Sequence, residues 1–95
     1  MKHEKRLTLN ARKMDTREHA HEHLKRRLRL PAWYGDNLDA LSDCLGEIGE
    51  PTTIVVRFAP QLAQLLGDYG TRLMRVLEQA AQENQNLRIL FKNGF

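Results

Sequence analysis

The 95-residue chain is 41% hydrophobic and 28% charged, an ordinary balance for one small globular domain, and too short for two. Its net charge of +3 conceals a segregation. Residues 1–29 hold ten Lys/Arg and four Asp/Glu (net +6), residues 30–56 hold no Lys or Arg and five acids (net −5), and residues 57–95 hold five basic and three acidic residues (net +2). No apolar run is long enough to span a bilayer, and a single cysteine, Cys44, excludes an internal disulfide and fits a reducing compartment.

The opening stretch MKHEKRLTLNARK is charged and has no apolar run, so no signal peptide and a cytoplasmic location are expected. Leu7, Leu9 and Ala11 alternate with polar residues, as in a half-buried strand. Asp15 or Thr16 offers an N-cap for a helix to about Leu28, with Ala20, Leu24 and Leu28 as its apolar stripe. Pro31 ends that helix. Gly35-Asp36-Asn37 opens a second helix, with Asp36 as a candidate N-cap, running to about Ile48 before Gly49 and Pro51. Thr52 to Phe58 reads as a strand buried on both faces. Pro60 begins a short helical turn, and Gly67 and Gly70 punctuate. Leu73, Val76, Leu77, Ala80 and Ala81 form the core face of a helix ending near Asn84. Leu87 to Phe91 reads as a last buried strand. The order is β-αα-β-αα-β, an α/β fold with a three-stranded parallel sheet packed by about four helices.

The second helix carries the most information. At about 100° per residue, with Asp36 at zero, Asp39, Asp43 and Glu47 fall at roughly 300°, 340° and 20°. Leu38, Leu41, Leu45 and Ile48 fall on the opposite side, so the acids face outward. Like charges at this spacing repel by a few tenths of a kcal/mol per pair, and no basic residue at i±4 offsets them. Such a stripe is either a solvated face or a surface held negative for a cationic partner. Trp33, beside it, has the character of an interface anchor, and Tyr34 that of a plug between helices.

The run Leu30-Pro31-Ala32-Trp33-Tyr34-Gly35-Asp36-Asn37-Leu38-Asp39-Ala40-Leu41-Ser42-Asp43-Cys44-Leu45 resembles the signature of the barstar family, intracellular inhibitors of barnase-like ribonucleases. The resemblance extends weakly over the whole chain and implies one barstar-like domain over residues 1–95. It implies a basic ribonuclease or ribonuclease-type toxin as partner, and no enzymatic activity. The acidic helix and adjoining loop would enter the ribonuclease's basic site, Asp43 standing where an RNA phosphate would and Asp39 pairing with an Arg or Lys. By the same resemblance Trp33 matches a tyrosine of the binding loop; it is expected to pack as an anchor, Gly35 and Asn37 to shape the loop-to-helix turn, and Asp36 and Glu47 to act mainly through the field. Ser42 stands where the family's best-known member has a tryptophan, and Gln79 where it has a glutamate. A carboxylate row suits a site built to hold phosphate. The alternative is a module of the same fold that binds a different basic protein. The protein is expected to be monomeric when free.

Two rival patterns carry less. His19, Glu22 and His23 match H-x-x-E-H and are expected to face mostly outward, but a catalytic zinc needs a third ligand and an enclosed pocket. His21 adds at most adventitious metal affinity, so no metal or cofactor is expected. Lys25-Arg26-Arg27-Leu28-Arg29 lacks an aromatic platform, which argues against direct nucleic-acid binding and for a solvated helix end. Cys44 reads as a small semi-buried residue.

Overall fold

In the computed structural model, which describes residues 4–94, the strands and helices alternate in the expected order. They are β1 (Lys5–Asn10), α1 (Arg17–Arg27), α2 (Leu38–Gly46), β2 (Thr52–Arg57), α3 (Pro60–Leu66), α4 (Asp68–Glu83) and β3 (Leu87–Phe91). The first three residues of the stretch read for a leader lie outside the described residues. The sheet is parallel, in the order β1-β2-β3, with Leu9 opposite Val56 and Ile54 opposite Ile89. Among the described residues no helix is long and apolar enough to cross a membrane.

The core lies where the inward residues of the strands meet the helices. Leu9, Ile54, Val56 and Leu87 pack with Leu24, Leu41, Leu45, Leu62, Leu73 and Leu77. The central strand β2 is buried from Thr52 to Val56, as its β-branched run implies. The last strand differs from expectation. At the sheet edge, Leu87 is buried, Ile89 and Phe91 are half-buried, and Arg88 and Leu90 are exposed. An edge strand has a neighbour on one side only, so its outward residues stay wet.

Three further boundaries depart from the sequence reading, and at a fourth one of its two alternatives is selected. β1 begins at Lys5, and Ala11 opens a 3-10 turn because the Asn10 side chain accepts the Arg12 N–H at 3.0 Å. Thr16, not Asp15, caps α1, accepting the His19 N–H at 3.0 Å. Asp36 is not the N-cap of α2 and lies outside the helix with φ +53; Asn37 is the cap. Gly67, with φ +60, makes the break between α3 and α4, whereas Gly70 is buried inside α4. A Cβ on Gly70 would sit 2.1 Å from the Leu62 carbonyl oxygen, so its missing side chain is what lets α4 close on α3.

Candidate functional site

The loop between α1 and α2 presents Trp33 and buries its neighbour. Trp33 is 69% exposed and Tyr34 is 4% exposed. The division is built from below: the Tyr34 hydroxyl shares a 2.6 Å hydrogen bond with His21 Nδ1, and His21 Nε2 shares another with the Tyr69 hydroxyl, also at 2.6 Å. One buried imidazole thus ties α1, the loop and α4 together. Burial pushes the His21 pKa below the ordinary histidine value, against the pull of Asp36, which favours the neutral ring. A neutral ring has one donor and one acceptor nitrogen, which the two hydroxyls can match. Burial likewise pushes the Tyr34 and Tyr69 hydroxyls up, opposed at Tyr69 by Arg17 and Arg72. The loop backbone adds Leu30 N–H to Lys25 carbonyl (2.9 Å) and Tyr34 N–H to Pro31 carbonyl (3.0 Å).

Asn37 converts this loop into a helix. Its Oδ1 accepts the Ala40 N–H at 2.8 Å, and its Nδ2 donates to the Gly35 carbonyl at 3.1 Å. Gly35 has little room for a side chain: a Cβ there would lie 3.2 Å from Asn37 Nδ2 and 3.6 Å from the Ala40 Cβ. At the other end Asn84, the C-cap of α4, donates from Nδ2 to the carbonyls of Leu45 and Ile48, each at 3.0 Å. Leu45 lies in the last turn of α2 and Ile48 just beyond its C-cap, and the Leu45 carbonyl also accepts the Ile48 N–H at 3.3 Å, so asparagine side chains hold α2 at both ends.

Between these clamps Leu41, Cys44 and Leu45 face the core, while Asp39, Ser42 and Asp43 are exposed. Glu47 is the exposed C-cap, with no basic residue in the last turn to complement the dipole. Among the described residues Asp36, Asp39, Asp43 and Glu47 form no ion pair. The stripe therefore consists of Asp39, Asp43 and Glu47, with Asp36 set off in the loop ahead of it. Burial pushes the Cys44 thiol up, with Glu47 and Asp43 adding to it, as suits a small packing residue.

The stripe has two flanks that the sequence did not reveal. Asp36 and Asp39 line a cleft of about 770 Å³ together with Arg17, Lys25, Tyr69 and Arg72. Arg17 and Arg72 stack on the Tyr69 ring at 4.3 and 5.3 Å. Ser42 and Glu47 line a groove of about 560 Å³ against Ala80 and Glu83 of α4. Gln79, one position before Ala80, is exposed and donates to Glu83 Oε1 at 3.2 Å. The H-x-x-E-H pattern does not assemble. His19 is exposed and bonded to Asp15 at 2.6 Å, which raises its pKa, and Glu22 is exposed, but His23 is buried. That corrects the expected outward face; the cause is the Asn10 N–H, which His23 Nε2 accepts at 3.0 Å. No group of three or more His, Cys, Asp or Glu that could hold a metal occurs among the described residues. Sequence reasoning missed His21, Tyr69 and Asn84 as builders of this surface. The one available signal was that a tyrosine assigned to a helix junction needs a partner for its hydroxyl.

Comparison with known proteins agrees with this architecture. The family described as Barstar (barnase inhibitor) matches residues 4–94. The chain is also 34% identical over 80 residues to the Bacillus subtilis (strain 168) protein named "Putative ribonuclease inhibitor YrdF", covering 83% of this chain and 88% of that one. The chain belongs to the barstar family.

Proposed function

We propose that this barstar-family chain blocks the basic active site of a microbial ribonuclease with α2 and the loop before it, and catalyses nothing itself. Asp43 takes the place of an RNA phosphate, Asp39 pairs with an Arg or Lys of the enzyme, and Trp33 packs beside them. Gly35 and Asn37 hold the turn, while Asp36 and Glu47 contribute through their field, and Ser42 and Gln79 adjust which enzyme is accepted. The observation that carries this reading is the unpaired carboxylate row, Asp39 and Asp43 one turn apart on an exposed face, with an exposed tryptophan at its head. Leaving such a row without a salt bridge among the described residues costs stability, and a cationic partner removes that cost.

The family and the printed name of the relative support a ribonuclease as partner. The test is inhibition of a panel of basic microbial ribonucleases by the purified chain. Stoichiometric inhibition of at least one enzyme, slower to establish at high salt, is the expected result. If no ribonuclease is inhibited while a different basic protein binds the α2 face, the module binds another target.

A further inference from the structure

On the other side of α1 a cleft of about 430 Å³ opens at the carboxyl ends of β1 and β2. Asn10, Lys13, His23, Arg26, Arg27 and Arg57 line it, and no carboxylate does. None of the acids of α2 borders it, so it is independent of the surface proposed above. An adjoining depression adds Glu22 and His19 beside Lys13 and Arg26.

His23 forms the buried part of this cleft. Its ring is 5% exposed, and Nε2 accepts the Asn10 N–H at 3.0 Å. A nitrogen that accepts carries no proton, so the neutral ring keeps its proton on Nδ1. Burial, reinforced by Arg26, Arg27 and Lys13, holds the His23 pKa down and favours that neutral form. Nδ1 is itself buried and has no hydrogen-bond partner among the described residues. A buried donor without an acceptor is costly and calls for an explanation. Arg27 is fixed by its Nε–H on the Thr8 carbonyl at 2.9 Å, which leaves its outer nitrogens for a ligand.

We propose that this cleft binds a phosphoryl group, as free phosphate or a small phosphate monoester, with the His23 Nδ1–H as its buried donor and Lys13, Arg26 and Arg27 as its cations. Several cations around one neutral donor match a dianion with four oxygens. A carboxylate would offer two oxygens and one charge and leave most of them unmatched. The position also fits, since crevices at the carboxyl ends of parallel strands are where α/β sheets hold ligands.

The test is a heteronuclear NMR titration of the full chain with inorganic phosphate and, separately, with AMP, each against chloride at matched ionic strength. Saturable binding in the millimolar range or tighter is expected, with a shifted and more slowly exchanging His23 Nδ1 proton. Arg26→Gln and Lys13→Gln, both at exposed positions, should each raise Kd about fivefold, and Asp43→Asn should leave it unchanged. Tighter binding of AMP would identify an ester as the ligand and equal binding free phosphate, and either supports the site. Responses no larger than chloride's, or binding that neither charge-removing variant weakens, would overturn it. So would binding of a single-stranded RNA when both small ligands fail, which would make the patch a nucleic-acid surface.

Discussion

Replacing His21 with phenylalanine should damage the protein through one specific group, the Tyr34 hydroxyl. Phenylalanine keeps an aromatic ring and removes both nitrogens. The Tyr34 hydroxyl, in a residue 4% exposed, then loses its 2.6 Å partner with no room for water to replace it. A buried polar group left unmet costs about 1–3 kcal/mol. Tyr69 is only partly buried, so water can take over there and the loss is about 0.5–1 kcal/mol. The expected total of about 1.5–4 kcal/mol is a large part of the roughly 5–15 kcal/mol that holds a chain of this size together. The assay is urea unfolding of the wild type, His21→Phe, Tyr34→Phe and the double variant. It is followed by far-ultraviolet circular dichroism, because the one tryptophan is already 69% exposed in the folded state. In the Tyr34→Phe background no hydroxyl is left unmet, so His21→Phe should cost about 1–2 kcal/mol less than in the wild type. An equal cost in both backgrounds would refute the claim that the imidazole anchors the loop through Tyr34.

Three further outcomes follow from the same contacts. His21 and His23 both have pKa values lowered by burial, so the unfolded chain binds more protons once the pH drops below the ordinary histidine value of about 6.5. Stability should be full above that value and fall below it, by at most about 1.4 kcal/mol per pH unit for each ring; a flat urea midpoint between about pH 7 and pH 5.5 would contradict this. The exposed His19–Asp15 pair acts in the opposite direction on the histidine side and is screened by solvent. Gly70→Ala should destabilise by about 1–3 kcal/mol, because its Cβ would strike the Leu62 carbonyl, whereas Gly46→Ala, with open space, should stabilise by up to about 1 kcal/mol in thermal unfolding. Asn84→Ala should cost about 1–3 kcal/mol in the same assay by removing two hydrogen bonds, to the Leu45 and Ile48 carbonyls, and a loss below a few tenths would mean that α2 is not held there.

What could be read from the sequence follows from how local each cause is. The outward row of Asp39 and Asp43 and the inward set of Leu41 and Leu45 depend on helical periodicity alone, and both appear as expected. Asp36 reads as a candidate cap because it and Asn37 are adjacent residues of equal capping quality; only the turn geometry, with Asp36 at φ +53, decides that Asn37 reaches Ala40. The buried histidines escape the sequence for a different reason. Periodicity on α1 marks Ala20, Leu24 and Leu28 as core, but His21 and His23 are buried by partners far along the chain. His21 meets Tyr69, 48 positions away, and His23 meets the Asn10 backbone. Gly70 reads as a helix breaker by type, and its real constraint, the approach of Leu62, exists only after α3 and α4 pack. The cations beside Asp39 are hidden in the same way, since Arg17 and Arg72 come from opposite ends of the chain.

The measurement that bears most directly on the proposed inhibition is the dissociation constant of Asp43→Asn for a ribonuclease that the wild-type chain inhibits. Asp43 lies on the exposed face of α2 with no ion pair among the described residues, so the change should leave the urea midpoint within about 0.5 kcal/mol of wild type. Removing its charge should weaken inhibition roughly tenfold to a hundredfold, the worth of a hydrogen bond to a charged group, with Asp39→Asn showing a smaller loss. Unchanged inhibition by a folded Asp43→Asn variant would contradict the claim that the carboxylate of α2 stands in for phosphate.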